Sequence, residues 1–392
     1  MSGLLLRGGR VLAPASGLDE RADVLIRDGL IAAIGADLDA GDAEVRDVSG
    51  ELVLPGLVDM HSHLFSDFSL LGAPVDEAHL RRGVVAAADA GTAGAATFAA
   101  FERYIARPAR TRTLAFLNVS TLGVQDIKVG ECHNPAALDL PAALKAATDY
   151  PDLVRGFKLR ASEEVVDGSA HDALVKSREI AGRAGLPLMV HIGDTVESLS
   201  ELLPLLTTGD IVTHCYTGKS NGTLVDGRVL DAVLEARERG VLFDSAHGAS
   251  NFSFAVAKEA IGQGFLPDVV SSDTSARNWR GPVYDLVTTM SKLRAVGMAL
   301  PDIVDAVTAR PAQVLHLDAE GFGTLRVGGP ANVTVLTEAG PTPLRDSAKN
   351  SEEWIVDRLE PVLTVRAGDL VEPTAWRGLT STDDKQPAHA GS

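Results

Sequence analysis

Six ionisable residues stand where chemistry could use them: His61 and His63 in "LVDMHSH", Lys158 in "GFKLR", His191 in "LMVHIG", His214 in "IVTHCYTG" and Asp273 in "SSDTS". Neutral imidazoles and a carboxylate are borderline-hard ligands suited to Zn2+, and a catalytic ion keeps one position open for water. Four histidines and one aspartate exceed what a single tetrahedral catalytic ion needs, so two divalent ions about 3.5 to 4 Å apart are the natural reading. Lys158 is the odd member, because an ammonium would repel two dications. Carboxylated at N6 by carbon dioxide, it becomes an anion able to bridge both ions. That also explains a lysine inside an apolar run, where an ordinary one is rare. Taken singly, each signal is weak: an H-x-H at a strand end is more often a structural pair, and a lone lysine more often snorkels to the surface.

The joint pattern gains weight from the elements that must position these residues. Between about residues 52 and 320, short apolar runs alternate with helix-like stretches. The strand candidates are "GLVDMHSH", "GAATFAAF", "TLAFLNVST", "VRGFKLRAS", "LPLMVHIG", "DIVTHCYTG", "VLFDSAHG" and "DVVSSDTS". Between them lie amphipathic segments such as "HDALVKSREIAGRAG" and "GRVLDAVLEARERG", whose apolar residues recur at three and four and which end in glycine. The alanine-rich "DEAHLRRGVVAAADAGTAG" reads as a further helix packed on the outside. Strand and helix alternating eight times predict an α/β fold, a (β/α)8 TIM barrel, whose active site lies at the C-terminal ends of the strands. All six residues fall at such ends. A doubly wound open sheet is the rival architecture, but no G-x-G-x-x-G follows the first strand. Cys215, adjacent to His214, points to the opposite face of a strand and is expected in the core.

Both chain ends have a different texture. The first fifty residues hold short β-rich segments with Gly and Asp between them, and the same pattern returns after residue 321 in "GFGTLRVGGPANVTVL" and "PVLTVRAGDLVEPTAW". The expected organisation is therefore residues 1–52 and 321–376 as two parts of one small β-sandwich subdomain, 53–320 as the barrel, and 377–392 as a flexible tail.

Composition narrows the partners. Lys and Arg number 36 against 53 Asp and Glu, a formal charge of −17, with no basic patch to receive nucleic acid. The two cysteines lack C-x-x-C spacing and cannot build a disulfide framework. No apolar span is long enough to cross a membrane, and the N-terminal leucine run is too short for a signal sequence. The expectation is a cytoplasmic protein whose partner is a small molecule, with homo-oligomerisation left open.

The order H-x-H, Lys, His, His, Asp on successive strand ends, entered through "LPGLVDMHSH" and flanked by a split β-subdomain, resembles the amidohydrolase superfamily of binuclear metallohydrolases, in particular its dihydroorotase-like branch. Over residues 3–370, "GFKLRAS", "CHNPAAL", "THCYTG" and "FDSAHG" look like the amidohydrolase/deacetylase group, which hydrolyses acylated amino or hydroxy acids. The resemblance implies His61 and His63 on one metal, His191 and His214 on the other, carboxylated Lys158 as bridge, and Asp273 as ligand and proton shuttle. The reaction it implies is hydrolysis of an amide or ester by a metal-bridged hydroxide. The sequence departs from the family pattern at Asn332, where an aspartate is common. For the substrate, Arg160 follows Lys158 by two residues and so faces the same way, nearer the rim, where a guanidinium can take a carboxylate bidentately. His133, Asn134, Tyr216 and His247 are further substrate-side candidates; Arg277 and Asn278 are weaker ones. The other readings are a cyclic amidase of the dihydroorotase or hydantoinase type, a non-catalytic barrel scaffold, and a single-metal nucleobase deaminase. The complete ligand set argues against the scaffold, and Lys158 argues against the deaminase.

Overall fold

Runs of apolar residues buried on both faces form the strands of a parallel sheet, the pattern expected when helices cover a sheet. The computed structural model describes residues 3–166, 168–376 and 378. Its strands β1 (Leu57–Ser62), β2 (Val84–Gly94), β3 (Arg112–Asn118), β4 (Val154–Arg160), β5 (Leu188–His191), β6 (Ile211–Thr213) and β7 (Leu242–Asp244) lie side by side in chain order. Residues 269–274, the expected eighth strand, are irregular. They still make single parallel bridges to both edges of the sheet, Asp244 with Val269 and Ser62 with Thr274. Backbone hydrogen bonds fix them to β1: Asp273 N–H donates to His61 O at 2.7 Å and His63 N–H to Thr274 O at 2.8 Å.

The alanine-rich stretch is where the sequence reading and the structure part. Residues 84–94 form β2, buried throughout, not an outer helix. Alanine favours helix intrinsically, but that preference is a weak prior beside burial between two strands. "GAATFAAF" is correspondingly not a strand: it leaves β2 and contains the short helix Phe98–Phe101.

The amphipathic segments behave as expected. Helix Ala170–Ala184 buries Ala173, Leu174, Ser177, Ile180 and Ala181, and stops at Gly185, whose φ of 66° is a left-handed cap. At its start, Ser169 Oγ accepts the Asp172 N–H at 3.2 Å. Ser169→Ala is therefore expected to cost about 1 kcal/mol of stability in chemical denaturation, leaving the strand ends untouched.

The two chain ends meet in an eight-stranded, mostly antiparallel sheet. Its join is Leu52–Pro55, which pairs in parallel with Leu4–Ala13 and antiparallel with Val333–Arg345. The C-terminal hairpin Val333–Arg345 with Glu353–Arg366 continues the sheet. Asn332 works within it: its side-chain oxygen accepts from Arg366 and from the Ala367 N–H, at 3.1 and 3.0 Å. A single residue, Gly56, then carries the chain straight into β1. Both cysteines are free and buried, and Cys215 joins the core. Apart from Gly378, the tail expected at 377–392 lies outside the described residues. Among them, no helix is long and apolar enough to cross a membrane.

Candidate metal centre

Strand register stacks the candidates in layers. Lys158, Met189, Ile211 and Leu242 are cross-strand neighbours on β4 to β7, and two residues on, Arg160, His191, Thr213 and Asp244 form the next layer of the same face. His214 follows Thr213 and on a regular strand would point away. Its φ of 72° breaks the alternation and brings the ring in, where it packs edge-on against His191 at 4.3 Å and lies 5.1 Å from His61. Asp273 also sits in the left-handed region, with φ of 51°. Such backbone is uncommon outside glycine and concentrates at functional sites.

The ring nitrogens are sorted by outer partners. His61 Nδ1 meets Thr213 Oγ1 at 2.8 Å and Asp244 Oδ2 at 3.2 Å. His63 Nδ1 meets Thr92 Oγ1 at 2.8 Å, and His214 Nδ1 donates to Ala246 O at 2.8 Å. Each Nε2 is left to face the centre, the arrangement by which a second partner fixes the tautomer of a metal-ligating histidine. His63 Nε2 lies 3.1 Å and His61 Nε2 3.7 Å from Asp273 Oδ1. Lys158 Nζ is 3.2 Å from His61 Nε2 and 3.5 Å from Met189 Sδ.

This donor set fits divalent ions. His61, His63 and Asp273 each bring one ligand atom, all within 4.8 Å of one another. His214 Nε2 is buried with no hydrogen-bond partner among the described residues, a cost that a ligated ion removes. Burial keeps His61, His191 and His214 neutral, lowering all three pKa values, and pushes the Lys158 ammonium down to about 7. At Asp273, burial acts upward, while the hydrogen bond to His63 and the surrounding imidazoles act downward and outweigh it, so its pKa is lowered.

The centre opens into a cleft with about 620 Å³ of empty space, walled also by Leu71, Ile127, Arg160, Lys219, Asn251, Arg277 and Asn278. Arg160 reaches it while paired with Glu131 at 3.3 Å and Glu164 at 3.4 Å. The other four substrate-side candidates do not wall it. Tyr216 is fully buried and its hydroxyl donates to Phe265 O at 2.8 Å. Tyr216 lies beyond β6, which ends at Thr213, so strand alternation does not turn it toward the centre. His247 lies beyond β7, which ends at Asp244, and faces Lys292 at 2.8 Å. His133 is exposed with Nε2 at 2.9 Å from Glu164 O, and Asn134 caps the short helix Pro135–Ala137.

Sequence reasoning missed the supporting acids. Asp244 braces His61, and Asp59 accepts the Ser272 N–H at 3.1 Å, while burial raises its own pKa to about 7. Asp89 accepts from the backbone of Leu64 and Thr92 at 2.9 and 2.8 Å, which steadies His63 from both sides. Spacing from His61 could have found Asp59, two residues earlier on one strand.

No family model matches the chain. It is 39% identical over 319 residues to a deacetylase of Agrobacterium fabrum, covering 80% of this chain and 78% of that one. A deacetylase of Enterococcus faecalis is 33% identical over 356 residues, covering 89% and 95%. A solved structure described as a dihydroorotase superposes with a TM-score of 0.87 at 33% identity, over 95% of this chain and 100% of that one. Similarity of this depth along nearly the whole chain, joined to a histidine and aspartate centre at the strand ends, means that the chain belongs to the amidohydrolase superfamily of hydrolytic metalloenzymes.

Proposed function

We propose that the protein is a deacetylase that hydrolyses the N-acetyl or O-acetyl group of a small amino or hydroxy acid. The observation that carries this reading is the Asp273 carboxylate, 3.1 Å from His63 Nε2 at the floor of an open cleft, in a chain with deacetylase relatives over most of its length. His61 and His63 would hold one divalent ion, His191 and His214 a second, with N6-carboxylated Lys158 between them and Asp273 alongside; zinc is the metal expected. Bound there, the ions supply an activated water and polarise the scissile carbonyl. As the water oxygen bonds to the carbonyl carbon, Asp273 takes its proton. When the carbon–nitrogen or carbon–oxygen bond then breaks, Asp273 returns that proton to the leaving atom. Acetate and the free amino or hydroxy acid result, and Asp273 is again a carboxylate.

Part of the same reading is a (β/α)8 barrel over residues 53–320, supported by the bridges from residues 269–274 to both sheet edges, with residues 1–52 and 321–376 as the small subdomain and the cytoplasm as its place. The cations Arg160, Lys219 and Arg277 on the cleft wall suit a substrate carboxylate. Arg160→Met is expected to raise KM for α-carboxylate substrates about 10- to 100-fold, with a smaller effect on kcat.

The test is turnover on paired N-acetyl and O-acetyl α-substituted acids, run beside dihydroorotate and hydantoins. Hydrolysis of the acyclic acids supports the reading. Turnover confined to the rings transfers the function to a cyclic amidase, which the superposition on a dihydroorotase favours as the second reading.

A further inference from the structure

Beside the metal centre lies a buried cation that the reaction does not use. Lys292, on helix Leu286–Ala295, is wholly buried. Its Nζ lies 2.8 Å from His247 Nε2, 2.7 Å from Pro282 O and 2.7 Å from Arg345 O. An ammonium has three N–H donors and no acceptor, and here each donor has one neutral acceptor. A buried charge held this way is a poor route to stability, since an apolar side chain of similar size often does as well. Its three partners suggest another role, because each belongs to a segment that builds or braces the cleft.

The first segment starts at His247. Donation by Lys292 into Nε2 leaves the imidazole proton on Nδ1, which donates to Gly248 O at 2.9 Å. The Gly248 N–H is held at Ser272 O, 3.0 Å away. With φ of +60°, Gly248 approaches the shuttle so closely that a Cβ there would sit 2.3 Å from Asp273 Oδ2. Past it, Asn251 forms cleft wall. The second partner, Pro282, lies in the loop that carries Arg277 and Asn278, and Asn278 Nδ2 donates to Asp273 O at 2.8 Å. Arg345, the third, ends a strand of the other sheet. Two residues on, Ser347 Oγ accepts the N–H groups of Asn251 and Phe252, both at 3.1 Å.

We propose that Lys292 is a positioning residue: through His247 and Gly248 on one side and Pro282 on the other, it fixes the wall against which the Asp273 carboxylate rests. The small sheet thereby becomes a working part of the active site. This rests on Asp273 being the proton shuttle.

The test is a cycle of Lys292→Met and His247→Phe, singly and together; the phenyl ring can keep the stacking of His247 on Phe252 at 4.6 Å. Both single variants are expected to keep their metal, to lose about tenfold or more in kcat, and to hold KM within about threefold; the double variant should be no worse than the poorer single one. Hydrogen exchange should quicken in residues 247–251 and 275–284 and stay unchanged in β3. Losses that multiply in the double variant, or a folded Lys292→Met protein with unsubstituted turnover and exchange, overturn the proposal. Should Lys292→Met not fold, Lys292→Gln takes its place, keeping two N–H donors and losing less. His247→Phe with full turnover and unchanged exchange overturns the proposal whatever the lysine variants do. An unsubstituted protein inactive on every acyl acid removes the deacetylase reading instead, and exchange still decides the positioning.

Discussion

Asp273→Asn is expected to retain its metal and to lose about 10²- to 10⁴-fold in kcat, the usual worth of a positioned proton-transfer group. The amide matches the carboxylate in shape, so the backbone turn at φ 51° has no reason to change. What disappears is the basic oxygen that takes a proton and gives it back. The loss should therefore be larger for amide substrates than for esters, because an amine must leave protonated while an alkoxide with a good leaving tendency need not. The measurement is kcat on matched N-acetyl and O-acetyl acids together with metal content. A folded, metal-loaded Asp273→Asn protein with near-normal turnover on both would remove Asp273 from the chemistry.

Lys158→Ala should lower both metal content and turnover, the latter by about 10²-fold or more, since even outer partners of metal ligands are worth 10- to 100-fold. Lys158 is wholly surrounded by protein, on the same face as Met189 and beside His61 Nε2, 3.2 Å away. A simple ammonium there would oppose any dication held by His61. Under the proposed carboxylation the sign would reverse: the ammonium loses one proton, carbon dioxide adds to the neutral amine nitrogen, and a second proton leaves to give the carbamate anion. A discriminating outcome follows: acetate or propionate, small enough to enter the space vacated by the lysine side chain, should restore part of the activity of Lys158→Ala, whereas methylammonium should not. Rescue by the amine and not by the carboxylate would show that the group needed is a cation.

How far the sequence could be read depended on whether a residue lay on a strand or beyond its end. His61, Lys158 and His191 follow the two-residue period of β1, β4 and β5, so their placement was legible from spacing and apolar context. His214 and Asp273 were legible by type and order, although each reaches the centre through a left-handed residue that no spacing rule anticipates. Tyr216 and His247 were misplaced because their strands end at Thr213 and Asp244, short of both residues. Thr92 and Asp89 were missed because β2 is mostly alanine, valine and glycine and reads as a helix until burial by its neighbours is known. Lys292 looked like an ordinary helix residue, since its partners lie 45, 10 and 53 residues away along the chain. The joining of both chain ends into one sheet was visible from their shared β texture, while the pairing of Leu52–Pro55 with Val333–Arg345 needed the structure.

The central claim is that these strand ends form a binuclear hydrolytic centre. Elemental analysis of the purified protein, paired with acyl-acid hydrolysis before and after chelation, tests it most directly. About two divalent ions per chain are expected, with activity lost on chelation and restored by Zn2+. Fewer than one tightly held ion in a folded and active protein would contradict it.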